Sequence, residues 1–222
     1  MTLIRSALAR TLDAAFPATC PGCGREGAPI CDTCLPALDA RLGRPGGVLI
    51  GMPVDLPYPV LQLEWCAPFL GVVRDALHAI KYRGERRLAG PLGAAVARRW
   101  ERAGAGGDLI APVPVHATRA RQRGYDQAQL IAEEAARGLA LPCARLLERH
   151  VETVAQFDLD RRQRATNVQG AFRLVTPQSL AGRWVVLVDD VMTTGATLAA
   201  CATVLMDAGA DGVSAVTVAR ER

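Results

Sequence analysis

The amino-acid sequence predicts an α/β protein in which a parallel sheet is covered by helices and a small cysteine-rich module precedes the sheet. From about residue 60 onward, short β-rich runs alternate with alanine-rich helical stretches, an order typical of parallel sheets. The run at residues 185–188 is entirely apolar, as expected for a strand buried on both faces. Half of the 222 residues are hydrophobic and 22% are charged, so a wholly disordered chain is excluded.

Four segments follow one another along the chain. Residues 1–15 have the apolar spacing of an amphipathic helix, residues 16–40 hold four paired cysteines, residues 41–60 are an irregular linker rich in proline and glycine, and residues 61–222 form the α/β domain. Within that domain we predict strands at residues 61–69, 109–115, 144–147, 185–188 and 213–218, and helices at residues 72–82, 88–102, 127–139 and 196–208. Residues 150–170 are polar, with little apolar periodicity, and are predicted to be a long loop.

The charge balance and the hydropathy of the chain limit its partners. The formal net charge is +4, and residues 1–60 hold five basic and five acidic residues, so the excess lies beyond them. Strong direct DNA binding is not expected, because contact with a phosphate backbone needs clustered basic residues. No apolar run is long enough to span a membrane. Arg5, Arg10 and Asp13 interrupt the apolar start, where a signal peptide would be continuous, so we expect a cytoplasmic protein.

The paired cysteines predict a structural zinc site. Cys20, Cys23, Cys31 and Cys34 form two CxxC pairs separated by seven residues. Each pair brings two thiolates to one tetrahedral ion, and a site closed by four sulfur ligands has no open position for a catalytic water. Two disulfides or four unrelated thiols are the alternatives, although disulfides fit poorly with the absence of an export signal.

The most informative stretch joins the apolar strand at residues 185–188 to the following helix. Asp189 and Asp190 stand at the carboxyl end of that strand, where open α/β sheets bind their ligands. The next residues are small or carry hydroxyls, and such a turn directs backbone N–H groups and the positive helix end toward an anion. The carboxylates suit vicinal hydroxyls, so the arrangement favours a sugar phosphate. The alternative is that the aspartates mark only a helix start and the threonines are ordinary caps.

At residues 184–205 the sequence resembles the type I phosphoribosyltransferases, whose signature is an apolar strand, two acids, two variable residues and a Thr/Gly run. Residues 81–85 (KYRGE), 111–134 and 149–172 are similar to the ComF family, which joins an N-terminal cysteine zinc module to a phosphoribosyltransferase domain. The resemblance implies a type I phosphoribosyltransferase-like parallel sheet with helices on both faces, binding phosphoribosyl pyrophosphate (PRPP). It implies that Asp189 and Asp190 hold the ribose 2- and 3-hydroxyls and act in catalysis. It assigns the 5-phosphate to Thr193, Thr194, Gly195, Ala196 and Thr197.

The same resemblance assigns residues around the pyrophosphate. That group would lie against Val115, His116, Arg119 and Arg123, since arginine forks suit it. The alternative is that at least one of the three arginines in this stretch, Arg119, Arg121 and Arg123, points to solvent. Further substrate contacts are expected from Lys81, Tyr82, Arg83, Gln127, Arg149 and Gln156. For residues 81–83 the alternative is that they only complement the dipole of a helix end. Asp126 departs from the family, which often has Asn at that position.

The long polar loop corresponds in the resemblance to a mobile catalytic loop, which closes over the pyrophosphate and excludes water. Arg164 and Asn167 have the family's R-x-x-N spacing and are the expected catalytic pair within it. The alternative is a solvated charged loop without a catalytic role.

The resemblance implies a phosphoribosyltransferase that displaces pyrophosphate from PRPP, with magnesium screening the pyrophosphate charge and an unknown acceptor, expected to be a nitrogen nucleophile. It also links the chain to DNA uptake in competent bacteria. The alternative is a non-catalytic PRPP sensor or a DNA-uptake accessory that docks a helicase partner. The acceptor and the oligomeric state, monomer or homodimer, stay open.

Overall fold

Four parallel strands form the central sheet in this computed structural model, which describes residues 17–47, 58–150 and 170–221. The strands are β1 (Leu63–Pro68), β2 (Leu109–Pro112), β5 (Trp184–Met192) and β6 (Gly212–Arg220). Their order across the sheet is β1-β6-β5-β2, and each neighbouring pair is parallel. A separate antiparallel pair consists of β3 (Leu147–Arg149) and β4 (Phe172–Leu174). The predicted parallel sheet is confirmed.

Helices cover both faces of this sheet. They are α1 (Gly71–Tyr82), α2 (Ala89–Ala103), α3 (Ala117–Arg123), α4 (Gln127–Leu139) and α5 (Ala196–Asp207). Along β5, Val186 and Val188 belong to an apolar cluster with α1, α2 and α4, whereas Val185 and Leu187 belong to a second cluster with α5. Because side chains alternate between the faces of a strand and all four are fully buried, this strand is buried on both sides as predicted.

The structure differs from the predicted elements in several places. β2 ends at Pro112 rather than at residue 115, because the N–H of Val115, the next one after Val113 on the β5 side, donates to the side chain of Asp126 instead of to β5. The strand predicted at residues 144–147 is misplaced: β3 begins at Leu147, and the N–H of Ala144 donates to the carbonyl of Ile110 beside β2 at 3.0 Å. Helix α3 was not predicted, since it buries none of its residues and therefore has no apolar stripe.

Some predictions fall on segments that the structure does not describe. These are the helix at residues 1–15, residues 48–57 of the linker and residues 151–169 of the long loop. Within the described ranges, every helix is too short or too polar to cross a membrane.

The cysteine-rich segment packs directly on the first helix. Cys20 and Cys31 are buried in the same apolar cluster as Leu77 of α1. Gly22 approaches α1 so closely that an added Cβ would lie 2.6 Å from a methyl carbon of Val72. Any larger residue at this position would therefore clash with α1. The segment therefore shares its core with the α/β sheet and α1.

A buried ion pair fixes the chain between the cysteines and the sheet. The Nε of Arg99, on α2, donates to a carboxylate oxygen of Glu64, on β1, at 3.1 Å. The Nη1 of Arg99 also donates to the carbonyls of Arg41 and Arg44 at 2.6 and 2.8 Å. Because a buried guanidinium needs a partner for each of its donors, this arrangement holds residues 41–44 against the edge strand β1.

Candidate functional site

The carboxyl ends of β5 and β2 meet at one edge of the sheet, and the candidate site is built there. Asp189 and Asp190 lie near the end of β5, and the N–H of Val113, just after β2, donates to the carbonyl of Val188 at 2.9 Å. The chain after β2 turns into α3 and then α4, while α1 ends on the same side with Lys81. In parallel α/β sheets, ligands bind at this edge.

Asp190 is held by two donors from two helices. The Nζ of Lys81, in the last turn of α1, lies 2.9 Å from its Oδ2. The Nε2 of Gln127, the first residue of α4, donates to the same oxygen at 2.9 Å, and the Oε1 of Gln127 accepts from the Nη1 of Arg123 at 2.8 Å. Burial alone would raise the pKa of Asp190, but the charge of Lys81 outweighs it and the pKa lies below its ordinary value. Asp190 is therefore an ionised carboxylate whose Oδ2 already accepts from two side chains.

Asp189 has a different environment. Its side chain is half-buried, and its Oδ1 accepts from the backbone N–H of Asp190 at 2.8 Å. Burial, and then the neighbouring charge of Asp190, hold the pKa of Asp189 well above its ordinary value. This carboxyl group therefore gains most from a hydrogen-bond donor or a cation supplied by a ligand.

The turn after β5 has the backbone geometry of an anion site. Gly195 adopts a left-handed conformation with φ of 80°, which glycine reaches without steric cost. Helix α5 begins at the next residue, and Gly195 as its N-cap carries no side chain to cover the first N–H groups. The hydroxyl oxygen of Thr194 accepts from the N–H of Ala196 at 3.4 Å. Thr193 and Thr197 are half-buried at the same turn, so hydroxyls and helix N–H groups gather where an anion is favoured.

A basic cavity of about 520 Å³ lies beside the acids. Its lining residues are Lys81, Tyr82, Gly84, Arg119, Gln122, Arg123 and Tyr125. Among the described lining residues three are cations and none is a carboxylate, so this part of the cavity favours an anionic group. Lys81 belongs both to this lining and to the ion pair with Asp190, and it joins the two parts of the site.

Contacts between the end of α1 and the start of α4 shape this cavity. The hydroxyl of Tyr125 donates to the carbonyl of Ile80, and the guanidinium of Arg86 lies 4.5 Å from the Tyr125 ring centroid. The Nη2 of Arg86 donates to the carbonyl of Gly124 at 3.2 Å. Neither Arg86 nor Tyr125 is among the site residues that the sequence predicts. Only the match of Tyr125 to the resembled family's pattern pointed to it, and the chain offers no local signal for Arg86.

Asp126 has a structural role that its sequence position left open. Its Oδ1 accepts from the N–H groups of Ala128 and Gln129 at 2.9 and 3.3 Å, which makes it the N-cap of α4. Its Oδ2 accepts from the N–H of Val115 at 3.2 Å, and burial raises the pKa of this carboxyl. Asp126 thus ties the segment after β2 to the start of α4.

The other predicted site residues are distributed around the same edge. His116 is the N-cap of α3, its Nδ1 accepting from the N–H of Thr118 at 3.3 Å, and it forms a parallel bridge with Arg149 at the end of β3. Arg119 is exposed on α3, and Arg83 is the C-cap of α1. Gln156, Arg164 and Asn167 lie outside the described residues.

The four cysteines of the N-terminal segment form a second candidate centre. The sulfur atoms of Cys20, Cys23, Cys31 and Cys34 all lie within 4.8 Å of one another. The Sγ atoms of Cys23 and Cys31 are 3.4 Å apart, which is too far for a disulfide bond, and all four thiols are free. Sulfur atoms around a zinc ion lie about 3.8 Å apart, given Zn–S bonds of about 2.3 Å. The cluster therefore fits a tetrahedral metal ion such as zinc.

Comparisons with known proteins gave sequence relatives and structural neighbours, while no family model matches the chain. The DNA utilization protein YhgH of Escherichia coli K12 is 30% identical over 201 residues, covering 87% of this chain and 80% of that protein. Competence protein F of Haemophilus influenzae is 35% identical over 115 residues, covering 51% of this chain and 50% of that protein.

Among solved structures, the glutamine PRPP amidotransferase of B. subtilis has a TM-score of 0.41 at 20% identity, over 60% of this chain and 27% of that one. The purine phosphoribosyltransferase of Pyrococcus horikoshii has a TM-score of 0.38 at 16% identity, over 60% of this chain and 82% of that one.

Proposed function

The chain belongs to the ComF family, and on this premise we propose that it binds PRPP with magnesium and transfers the phosphoribosyl group to a nitrogen acceptor. One arrangement carries the proposal. An acid pair, a glycine-centred turn and a helix N-terminus follow one another at the end of β5, beside a cavity with three cations. These features suit a polyol, a terminal phosphate and a pyrophosphate group, and PRPP combines the three.

Each group of PRPP has residues suited to it. The ribose hydroxyls would donate to Asp189 and Asp190, and the 5-phosphate would accept hydrogen bonds from the turn at residues 193–197. Arg119 and Arg123 line the basic cavity and suit the pyrophosphate. Their charges would stabilise the leaving group, and Asp189 would stabilise positive charge on the anomeric carbon.

The proposed transfer exchanges one bond at the anomeric carbon for another. The bond to the pyrophosphate oxygen breaks and its electron pair leaves with pyrophosphate. The lone pair of the acceptor nitrogen forms the new bond from the opposite face, and a proton on that nitrogen is lost to solvent. Magnesium, when bound, screens the pyrophosphate charge, and its preference for oxygen ligands fits the half-buried carboxylate of Asp189 together with the oxygens of PRPP.

The four-cysteine cluster is proposed to bind zinc in a structural role. Its sulfur ligands fill all four positions of a tetrahedral ion, which leaves none for a substrate. Burial alone would raise the pKa of Cys20, but backbone N–H groups of Cys31, Gly22 and Cys23 outweigh it and lower the pKa to about 6. Burial and the neighbouring cysteines raise the pKa of Cys34 to about 12, so a bound cation is what would favour the thiolate form of all four. A thiolate is the form that binds a metal ion.

A second candidate function is an accessory role in DNA uptake without catalysis. It is favoured by the names of the relatives, which refer to competence and to DNA utilization. In that case the PRPP site would sense PRPP, and the protein would act through a partner protein.

Calorimetric titration of PRPP with magnesium into the purified full chain tests the binding proposal. The wild-type protein is expected to bind, and Asp189→Asn is expected to weaken binding by about tenfold or more, because a charged acceptor of the ribose hydroxyls is lost. Asp207→Asn is the matched control, since Asp207 is an exposed residue at the far end of α5. Absence of binding by the wild type, or equal affinity of the two variants, would overturn the proposal.

Catalysis is tested by the release of pyrophosphate from PRPP in the presence of ammonia, amines, and purine and pyrimidine bases. Release that requires one of these acceptors and is lost in Asp189→Asn supports the transferase. Tight PRPP binding without release by any of them supports the sensing role instead.

A further inference from the structure

Lys81 stands apart from the other basic residues of the chain. It is the only lysine, and all the other basic residues are arginines. Its side chain is 17% exposed and its Nζ lies 2.9 Å from the Oδ2 of Asp190, whose side chain is 7% exposed. Gln127 donates to the same oxygen at 2.9 Å. Without a ligand, this oxygen of Asp190 therefore already accepts from two donors of the protein itself.

The same lysine also faces the basic cavity. Lys81 lines it together with Arg119 and Arg123, and these two arginines suit a pyrophosphate group. The ammonium group therefore lies between two anionic positions, the carboxylate of Asp190 and the place of an anion bound in the cavity. Exchange between the two positions would move the ammonium from Asp190 to that anion.

Lysine is the basic residue suited to such an exchange. Its compact charge sits on a flexible four-carbon stem with rotatable donors, whereas a guanidinium forms a planar, two-pronged contact with a carboxylate that is harder to exchange. The charge of Asp190 raises the pKa of Lys81 although burial alone would lower it, so the group stays a cation in the ligand-free site.

The ion pair also places a condition on ligand binding. Ribose hydroxyls that donate to the Oδ2 of Asp190 must compete with Lys81. A lysine displaced into the cavity would lie near the like charges of Arg119 and Arg123, which is unfavourable unless an anion is bound there. A ligand that brings an anion into the cavity supplies that partner. A ribose phosphate without pyrophosphate does not.

We propose that Lys81 is an exchangeable counter-ion, which pairs with Asp190 in the ligand-free site and moves to the pyrophosphate group when the ribose hydroxyls of PRPP bind Asp190. This inference rests on the proposed function. It makes Lys81 a specificity-determining residue: the site favours PRPP over ribose 5-phosphate because only PRPP provides a new partner for the displaced ammonium.

Calorimetry with PRPP and with ribose 5-phosphate, each with magnesium, tests the exchange. In Lys81→Met the affinity for ribose 5-phosphate should rise about fivefold, because the competitor for Asp190 is removed, while the affinity for PRPP should fall about tenfold, because a charge-assisted contact is lost. Lys81→Arg keeps the charge and should show neither gain for ribose 5-phosphate nor the full loss for PRPP. Arg74→Met is the control, since Arg74 is an exposed cation of the same helix that pairs with Asp75.

The two expected changes in affinity, a rise for ribose 5-phosphate and a fall for PRPP, separate exchange from a merely structural role of Lys81. Damage to the fold would weaken the binding of both ligands. If Lys81→Met weakens both, or leaves ribose 5-phosphate unchanged, the exchange is overturned while PRPP binding by the wild type still supports the proposed function. If the wild type binds no PRPP, both the exchange of Lys81 and the proposed function are overturned.

A second measurement does not need the variant to fold. In protein labelled with ¹³C-lysine, the single lysine gives one ε-methylene signal. Saturation with PRPP should shift this signal, and an unchanged signal at saturation would overturn the exchange.

Discussion

The neighbouring carboxyl groups of Asp189 and Asp190, near the end of β5, have pKa values shifted in opposite directions because their partners differ. Asp190 has Lys81 and Gln127 within 2.9 Å and a pKa below its ordinary value, although burial opposes this. Asp189 has no cation at that distance among the described residues, and burial and the charge of Asp190 raise its pKa well above the ordinary value. One acid is therefore satisfied within the protein, and the other is left to be satisfied by a ligand.

This difference predicts that Asp189→Asn stabilises the ligand-free protein even though it weakens PRPP binding. An acid whose pKa is raised on folding costs stability once the pH exceeds its unfolded value of about 3.9, and the cost grows until the pH reaches the folded pKa. The asparagine keeps an oxygen to accept from the N–H of Asp190 and has no such cost. Its unfolding midpoint should exceed that of the wild type by about 3 °C at pH 7.5, and the two should converge near pH 4.

Thermal unfolding followed by circular dichroism at the two pH values measures this difference. Asp207→Asn again serves as the control, since that residue is exposed. A wild-type protein as stable as the variant at pH 7.5 would contradict the burial cost assigned to Asp189.

At the scale of secondary-structure elements, the start of α4 determines how the segment after β2 is held. Asp126 caps α4 through one oxygen and receives the N–H of Val115 on the other. A single side chain thereby connects the helix to the turn that carries His116 and leads into α3.

We predict that Asp126→Ala lowers the unfolding midpoint by about 3 °C or more, because loss of an N-cap costs about 1 kcal/mol. Asp126→Asn should lose less, since its amide oxygen still caps the helix while its amide nitrogen cannot accept from Val115. Thermal unfolding of both variants side by side measures whether Asp126→Ala lowers the unfolding midpoint more than Asp126→Asn. Equal losses would show that the cap contributes little and that the contact with Val115 dominates.

The elements that could be predicted from the sequence are those with a strong apolar period. The apolar run of β5 and the stripe of α4 were located correctly, and the observed α4 has the predicted bounds. The helix α3 could not be predicted, because its exposed ATRARQR sequence buries no residue. The short strand β3 was misplaced by about three residues, since its pairing with β4 depends on chain that is distant in sequence.

For the whole molecule, the sequence predicted which residue types gather at the sheet edge but not how they pair. Asp189, Asp190 and the turn at residues 193–197 were identified from one contiguous stretch. The ion pair of Lys81 with Asp190 joins α1 to β5, and nothing in the local sequence distinguished it from a lysine that complements a helix end. Long-range pairing of this kind depends on packing, because the partners are brought together only when α1 and α4 cover the sheet.

The cysteine cluster is connected to that same packing, which leads to a prediction for the whole protein. Cys20 and Cys31 are buried in one apolar cluster with α1, α2 and α4, so loss of the metal should loosen the helix layer that carries Lys81 and Gln127. Metal analysis should find one zinc per chain. Removal of zinc by a chelator, or Cys23→Ser, should lower the unfolding midpoint of the whole protein by about 5 °C or more, in one transition, because metal binding is coupled to folding.

Cys143→Ser is the matched control, since Cys143 is a half-buried thiol outside the four-cysteine cluster, and it should retain zinc. Calorimetric scans of the protein after removal of zinc by a chelator, with PRPP binding measured on the same sample, test whether the cysteine segment unfolds together with the sheet. A separate low-temperature transition that leaves the main one unchanged would show that the cysteine segment folds independently of the sheet. A single shifted transition with weakened PRPP binding is expected, because the cluster and the two donors to Asp190 belong to one packed layer.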